Sequence, residues 1–589
     1  MGPLMILVLL PILGAIVLSL LPPDNRLARM VGLGFTGVTF LASVGILAGF
    51  RTTTFHFQLE EKHPWVPSLG ISLHLGVDGL SIWLLVLTTF LSLLSMAYVQ
   101  YVNERTKAFI ALILLLEAAM LGSFVSLDLI AFFTFFEATL IPMWLLINNW
   151  GGEKRNAAAN KFLIYTFAGS MFMLIGMVVM AAQMHQVTGV TSFDIVDIQN
   201  QVAHGGFWVN GVGAETLVFW TFLVAFLVKS PSFPFHTWIA DTYAEAPIVG
   251  PILSSAMVKL GSFGLLRFVL PLFPDAVQAQ APLLMGLAVV SILYGAIVAA
   301  VQTDMRRMLA YSSVSHMGFI LFGIFSLSFT GLLGGAYQQV NHGIVTSALF
   351  LLVGFLFVRT GETKFSAFGG LKAQMPVFAA LFLVAMLAGV GLPGTNGFVG
   401  EFLALLGGFE SGYAGKFGLS IGFTIAAAGG VVLAAAYLLY MYQQVFYGPI
   451  TNALNRRLRD LKTWEAVTVG VLVVVILWGG LYPSTFTKPM EASAQAARLM
   501  AIGPAGARPI WQDKSLEVDV NPTHPIVGAL VRVSTQEGAD TTEPVAIVAP
   551  PEIRFRAASS SDTQDYGVSS SLGNESGSGS GPGQGDLVK

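Results

Sequence analysis

The chain has 589 residues, a formal net charge of −3, 54% hydrophobic residues and only 11% charged residues. With a mean hydropathy of +0.72, this composition excludes an ordinary soluble domain and indicates a polytopic membrane protein. The charge balance gives no basic surface for nucleic acid. The lack of cysteine excludes disulfides, thiolate-bound iron–sulfur clusters and a cysteine nucleophile in this chain.

Apolar runs of the length that a bilayer requires, about 20 residues each, predict about fourteen transmembrane helices, or spans. They are expected near residues 4–21, 30–50, 79–101, 109–126, 129–149, 162–184, 217–236, 249–270, 283–301, 309–327, 332–358, 377–405, 421–446 and 467–481. The first run lacks a basic start, so we interpret it as a span and not as a cleaved signal.

Lysine and arginine are distributed unevenly among the predicted loops. Loops after even-numbered spans hold only Arg51, Lys62 and Lys416, and the other loop cations before residue 467 follow odd-numbered spans. The positive-inside rule therefore places the odd-numbered loops in the cytoplasm and both termini outside. The expected location is the inner (cytoplasmic) membrane, crossed many times.

Two carboxylates lie inside the predicted spans 4 and 5, where an unpaired charge is costly. Glu137 is in the middle of span 5, and Glu117 is in span 4. Lys229 in span 7 is the natural partner of Glu137, and a pair that opens and closes would act as a proton switch. A static salt bridge between helices is the alternative. Glu117 is expected to modulate the Glu137 region or to make a helix–helix hydrogen bond.

Span 7 is interrupted directly after a lysine, in the sequence Lys229-Ser-Pro-Ser-Phe-Pro-Phe-His-Thr-Trp238. Two prolines should break or kink the helix, and a broken membrane helix is tolerated only inside protein or beside a wet cavity. Lys229 is therefore a candidate for an ion or proton path; a structural kink with a snorkelling lysine is the alternative. The cytoplasmic loop that follows is expected to hold His236, Asp241 and Glu245, near a proton entrance.

Span 8 carries two cations. Lys259 lies among small residues in Ser254-Ser-Ala-Met-Val-Lys-Leu-Gly-Ser262, which leave room for water, and burial disfavours its charged form. It is a candidate proton carrier, with snorkelling as the alternative. Arg267 is expected to snorkel at the membrane edge. The turn after span 9 is expected to be solvated and holds Asp304, Arg306 and Arg307.

Two histidines lie in adjacent predicted spans among polar neighbours. His316 belongs to Tyr311-Ser-Ser-Val-Ser-His-Met-Gly318, and His342 belongs to Tyr337-Gln-Gln-Val-Asn-His-Gly343. Histidine titrates nearest to neutral pH, so the pair is a candidate proton relay. The alternatives are hydrogen-bonded packing residues and metal or haem ligands, although no carboxylate cluster accompanies them.

A second interruption lies in span 12, in Gly389-Val-Gly-Leu-Pro-Gly-Thr-Asn-Gly397, and Glu401 follows it. Glycine and proline cannot sustain a regular helix here. An offset of five spans from span 7 reverses the direction through the membrane, as in inverted-repeat transporters.

The expected fold is therefore an all-α polytopic membrane protein with two inverted five-helix repeats and broken helices 7 and 12. The expected domains are spans 1–3 (1–107), a first repeat (108–271), a second repeat (279–447), span 14 with its preceding loop (448–482), and an extracytoplasmic tail (483–589). The tail is expected to be disordered from about residue 557, where it becomes rich in Ser and Gly.

Motifs for nucleotide binding and for a zinc peptidase are absent: the sequence has no GxxxxGK[ST], no dinucleotide fingerprint after a strand and no HExxH. This chain is not expected to bind a nucleotide or carry electrons. Energy for ion movement must therefore come from an ion gradient or from a partner.

These motifs together resemble the antiporter-like proton-pumping membrane subunits of respiratory complex I, over roughly residues 4–481. The residues that carry the resemblance are Phe136–Met143, Lys229–Ile239, Ala244–Pro247, Tyr311–Gly318 and Gly391–Glu401. Within the family, the glutamate at 401 distinguishes this chain from two sister branches, which carry lysine there. The tail after residue 481 departs from the usual pattern.

The resemblance implies that Glu137 and Lys229 form a coupling pair, that Lys259 lies at the centre, and that His316 and His342 line a hydrated path to Glu401. It also implies a subunit of an NADH:quinone oxidoreductase that translocates protons, with no cofactor in this chain and with FMN, iron–sulfur clusters and quinone on other subunits. The implied partners are neighbouring antiporter-like subunits and the lipid bilayer. The rival functions are a subunit of a multi-subunit cation/proton antiporter or of a membrane-bound hydrogenase, and a membrane scaffold.

Overall fold

Thirteen helices in the described part of the chain are long and apolar enough to cross a membrane, which confirms the all-α polytopic architecture. The computed structural model describes residues 2–209, 211–450, 452, 455–504, 508–509, 511, 516–519 and 530–533. The thirteen are Pro3–Leu20, Asn25–Ala48, Ile82–Val99, Thr106–Val125, Leu129–Trp150, Arg155–Thr188, Val212–Lys229, Val249–Leu272, Pro274–Ala300, Met305–Phe325, Phe329–Thr360, Ile421–Phe446 and Thr463–Leu481. The remaining predicted span, span 12, is divided into Pro376–Val390 and Asn396–Tyr413.

Shorter elements lie between the spans or follow the last one. The α-helices are Ile195–His204, Thr237–Glu245, Leu371–Gln374 and Ser484–Ile502, and the 3-10 turns are Pro67–Leu69, Phe365–Ala367, Lys416–Gly418 and Asn455–Arg457. Strands Gln58–Val66 and Ile71–Val77 form an antiparallel hairpin, as do Leu516–Asp519 and Leu530–Val533. The segment expected to be disordered from about residue 557 lies outside the described residues.

The first hairpin is fixed to span 1 through one carboxylate. Glu61 accepts hydrogen bonds from the backbone N–H groups of Gly2 at 2.8 Å and Leu4 at 2.9 Å. The first N–H groups of a helix have no partner within it, and a negative charge near this end is favourable. Glu61 thus supplies the cap that the helix itself cannot provide.

Span 8 is the most enclosed helix of the bundle, because every residue from Val249 to Leu272 is buried. It consists of Val249–Met257, Lys259–Gly264, a π-helical turn at Leu265–Val269 and a last turn at Leu270–Leu272. The junction between its first two pieces falls immediately before Lys259.

The expectation that Arg267 snorkels is wrong. Its side chain is 3% exposed, and its Nη2 lies 2.5 Å from Oδ1 of Asp78, which is fully buried. The guanidinium also lies 4.7 Å from the ring centroid of Phe57. A buried charge must be paired, and the carboxylate of Asp78 at the start of span 3 supplies the partner.

Span 7 breaks where the prolines predict, but the segment after the break is not a loop. The helix ends at Lys229 and a second helix, Thr237–Glu245, follows. Asp241 in this second helix accepts hydrogen bonds from Lys161 at 2.8 Å and Arg307 at 3.2 Å. Asp241 and Glu245, which were expected in a loop, therefore belong to an ordered half-helix that contacts spans 6 and 10, and His236 directly precedes it.

The segment after span 14 begins with an ordered helix, Ser484–Ile502, whose Phe486, Met490 and Ala494 are buried. Beyond it, Trp511 stacks on Phe57 with ring centroids 5.0 Å apart. At least this part of the predicted tail packs against the bundle. The inverted relation of the two five-helix repeats and the domain boundaries remain predictions.

Candidate functional site

Four of the predicted titratable residues form one buried row. The Nζ of Lys259 lies 2.5 Å from Nδ1 of His342. The rings of His342 and His316 follow, with centroids 5.7 Å apart, and Nδ1 of His316 lies 2.7 Å from Oε1 of Glu401. The row brings together span 8, the adjacent spans 10 and 11, and the second half of broken span 12.

The chemistry of these groups fixes where protons reside in this arrangement. A protonated lysine can only donate, so Nδ1 of His342 accepts from Lys259 when the lysine is charged. An ionised Glu401 can only accept, so Nδ1 of His316 then carries the proton. In the described part of the chain, Nε2 of His342 has no hydrogen-bond partner. The row therefore has two bonded ends and an open middle between the two histidines.

Amide side chains surround the Glu401 end of the row. Gln338 donates to Oε1 of Glu401 at 3.1 Å, and Asn341 donates to the backbone oxygen of Asn396 at 2.9 Å. A cavity of about 20 Å³ lies against His316, His342 and these amides. About 10–15 Å³ suffices for one water, so there is room for a water beside the open middle of the row.

Lys229 forms a second group, and its nearest partner is one that the sequence analysis did not name. Its Nζ donates to the hydroxyl of Thr139 at 2.9 Å and lies 4.5 Å from the ring centroid of Phe136. Thr139 lies between the helices Leu129–Ala138 and Leu140–Trp150. The signal that could have indicated it is its place two residues after Glu137.

The expected ion pair between Glu137 and Lys229 is not formed in this arrangement. No salt bridge within 4.0 Å joins the two side chains among the described residues. Oε1 of Glu137 is buried and lacks a hydrogen-bond partner there. In this arrangement the two side chains stand apart, and Lys229 is bonded to Thr139 instead.

A glycine brings the two lysine groups together at the contact between spans 7 and 8. A Cβ atom at Gly261 would lie 2.5 Å from the backbone oxygen of Phe226 and 2.7 Å from the nitrogen of Ser230. Any side chain here would therefore collide with the backbone that ends the first half of span 7. The close approach places the break after Lys229 directly against the turn that begins with Lys259.

Glu117 belongs to neither group. It is fully buried, and neither of its carboxylate oxygens has a hydrogen-bond partner within the described ranges. Within the same ranges, no three histidine, cysteine or acidic side chains lie together in an arrangement able to hold a metal ion.

Comparison with known proteins shows what the chain as a whole is similar to. The family model described as NADH:quinone oxidoreductase/Mrp antiporter, TM, matches residues 126–427. The NADH-quinone oxidoreductase subunit M of Rhodobacter capsulatus is 40% identical to this chain over 82% of the chain and 93% of the relative.

Two solved structures have the same architecture. A chain of respiratory complex I from Thermus thermophilus with bound NADH has a TM-score of 0.75 and 32% identity, covering 85% of this chain and 100% of its own length. A chain of the Mrp complex from a Dietzia species has a TM-score of 0.72 at 21% identity, covering 85% and 98% respectively. The second likeness concerns the fold alone.

Proposed function

Because this chain belongs to the family of NADH-quinone oxidoreductase subunit M, we propose that its two buried lysine groups form the proton path of a redox-driven pump. The chain is a membrane subunit of that oxidoreductase, a translocase, and neighbouring antiporter-like subunits are its partners. The observation that carries the proposed path is the row from Lys259 to Glu401, because each of its four side chains can bind or release a proton.

The Lys229 group acts as the switch. In the state described here, the ammonium donates to Thr139 and the carboxylate of Glu137 stands apart from it. Closure of the pair would stabilise both charges, and opening would favour their neutral forms, with a proton passing from the lysine. The break after Lys229 lets the end of this helix move without disturbing a continuous helix.

The Lys259 row carries the proton onward. A proton released near Lys229 reaches Lys259 across the contact at Gly261, since the ends of the two helix segments meet there. Lys259 gives a proton to His342, the open middle of the row passes it to His316 by way of a water, and Glu401 delivers it to the outer side. A negative charge restored on Glu401 then completes the cycle.

The direction of transport and the source of energy complete the proposal. The positive loops face the cytoplasm and both termini face outward in the inner membrane, so protons leave on the Glu401 side. Quinone reduction on other subunits supplies the energy, and FMN, iron–sulfur clusters and quinone are held there. Glu117 modulates the switch through its unpaired charge or proton.

The test replaces Lys229 by alanine in the intact complex, with Lys416→Ala as a matched control at an exposed lysine. Lys229→Ala should abolish proton pumping and slow coupled quinone reduction without preventing assembly, whereas Lys416→Ala should match the wild type. Normal pumping by an assembled Lys229→Ala complex contradicts the proposal. Sodium-driven proton exchange in vesicles would favour the antiporter alternative, and a change in assembly alone would favour a scaffold.

A further inference from the structure

We infer that Trp511, which lies beyond the region that carries the family resemblance, is a positioning residue for Lys259. It holds the last part of span 8, the helix that contains this lysine, through contacts with Phe57 and Arg267. The inference rests on the function proposed above, since it concerns a lysine of the proposed path. It gives a role to the part of the chain after span 14, which that function does not use.

Trp511 is bound by both of its backbone groups and by its ring. Its N–H donates to Oδ1 of Asn200 at 3.0 Å, and its carbonyl oxygen lies 3.1 Å from Nδ1 of His56. The indole stacks on Phe57 and lies edge-on to Phe55, each with ring centroids 5.0 Å apart. The side chain is only 6% exposed. Paired backbone groups and a buried ring indicate a fitted site for this residue.

The first connection from Trp511 to span 8 passes through Phe57. The guanidinium of Arg267 lies 4.7 Å from the ring centroid of Phe57, on which the indole is stacked with the planes 17° apart. A cation over an aromatic ring is attracted by the ring quadrupole, and the stacked pair adds its own attraction. Phe57 therefore links the indole to the charge that span 8 buries against Asp78.

The second connection passes through the short helix Ile195–His204. Asn200, which accepts from the N–H of Trp511, belongs to this helix. The preceding residue, Gln199, donates from Nε2 to the backbone oxygen of Arg267 at 3.2 Å. Trp511 thus reaches Arg267 by two separate paths, one to its side chain and one to its backbone.

Both connections end at an irregular part of span 8. Arg267 lies at the centre of the π-helical turn Leu265–Val269. A π-helical turn departs from the regular backbone bonding of an α-helix, and such turns are frequent at functional sites. Contacts from outside the helix, such as the bond from Gln199, therefore help to hold this turn in its form.

The place of Lys259 depends on how this part of the helix is held. The helix is interrupted just before Lys259, so residues 259–272 form a segment of their own. Gly261 fixes one end of the segment against span 7, and Arg267 fixes it about 12 Å beyond the lysine at 1.5 Å per residue. The Nζ of Lys259 lies 2.5 Å from Nδ1 of His342, and a shift of about 1 Å breaks a hydrogen bond. Without the hold at Arg267, the segment pivots at Gly261 and this bond is lost for part of the time.

The test replaces Trp511 by alanine in the intact complex. Trp511→Ala should slow NADH-driven proton pumping several-fold per assembled complex in sealed vesicles, with an unchanged KM for quinone. Amide hydrogen exchange in residues 259–272 should become several-fold faster, whereas a merely structural role predicts faster exchange only around the hairpin and the helix Ile195–His204. Trp511→Phe keeps a ring on Phe57, and the indole N–H that it removes has no hydrogen-bond partner in the described part of the chain. This variant should restore both the pumping rate and the exchange rate.

A milder variant and a matched control complete the design. Asn200→Ala removes the acceptor of the Trp511 N–H and should give a smaller change in the same two measurements; it provides the test if Trp511→Ala does not assemble. Trp65→Ala alters an exposed tryptophan of the same hairpin and should match the wild type. An equal loss of pumping in Trp65→Ala would overturn the inference, because any damage to the hairpin would then suffice.

The inference and the proposed function fail in different ways. If Lys259→Ala abolishes pumping while assembled Trp511→Ala and Asn200→Ala complexes pump normally, Trp511 has no positioning role and the proposed function stands. A lower unfolding midpoint of Trp511→Ala with unchanged pumping and unchanged exchange in residues 259–272 also overturns the inference. If Lys259→Ala itself pumps normally, the proposed function fails.

Discussion

Replacing Thr139 by valine tests whether the open state of the Lys229 switch has a role in pumping. The threonine hydroxyl is the hydrogen-bond acceptor for Lys229 at 2.9 Å, and the lysine is 1% exposed. Valine has nearly the same shape but cannot accept, so it destabilises the open state alone. The contact of the ammonium with Phe136 does not involve the threonine hydroxyl and is kept in Thr139→Val.

The expected magnitude follows from that single bond. A hydrogen bond to a charged group contributes about 1.5–3 kcal/mol, and each 1.4 kcal/mol changes an equilibrium about tenfold. Thr139→Val should therefore shift the ratio of open to closed states by roughly 10-fold to 150-fold toward a lysine paired with Glu137. A lysine held in that pair releases its proton more slowly, so both pumping and coupled quinone reduction should slow.

The assay measures NADH-driven proton pumping and quinone reduction in the same vesicle preparation, with Thr139→Ser as the matched control. Serine keeps the hydroxyl and should retain most of the wild-type rate. If Thr139→Val pumps at the rate of Thr139→Ser, the hydrogen bond has no role in the switch and the reasoning is wrong.

Three further variants test other parts of the structure. Asp78→Leu leaves Arg267 buried without its partner and should lower the stability of the complex by about 3–5 kcal/mol, measured by thermal unfolding. Adding Arg267→Met should restore most of the lost stability. An unchanged unfolding midpoint for Asp78→Leu would contradict the pairing. Burial alone would raise the pKa of Asp194, but the hydrogen bonds from His74 and Lys62 outweigh this effect and hold the pKa below its usual range. The stabilisation from this carboxylate is therefore present above about pH 4 and is lost as the pH falls through the lowered pKa. Proteolysis of the first hairpin should increase at that low pH, and Asp194→Asn should show the same increase at neutral pH. Unchanged proteolysis of Asp194→Asn at neutral pH would contradict the role of this carboxylate. Glu401→Gln keeps an acceptor for His316 but removes the charge, so pumping should be lost in an assembled complex; normal pumping would exclude Glu401 from the path.

The spans and the first break could be predicted because lipid imposes them locally. A bilayer requires a fixed length of apolar helix, and Pro231 and Pro234 remove backbone donors wherever they stand. The half-helix Thr237–Glu245 was not predicted, because it is too short and too polar for a hydropathy signal. Its Asp241 is paired with Lys161 and Arg307, which come from distant parts of the chain.

The row of titratable residues could be predicted as a set, because charged residues within apolar runs are costly and are therefore usually functional. Their roles remain predictions, although the geometry brings Lys259, His316, His342 and Glu401 together. The partners of individual charges could not be predicted. Asp78 is 189 residues away from Arg267 in the sequence, and Thr139 resembles any other threonine in an apolar helix.

The enclosure of span 8 has a consequence for how the protein is made. Its mean hydropathy of 1.4 is the lowest of the thirteen candidate spans, and a lysine or arginine at the centre of a helix opposes insertion from the translocon by about 2.5–3.5 kcal/mol. The groups that offset this cost for Lys259 include His342, which is synthesised three spans later. During biogenesis, the buried charge of span 8 therefore lacks this partner until span 11 has been inserted. Nascent chains that stop before span 11 should be selective targets of membrane quality control.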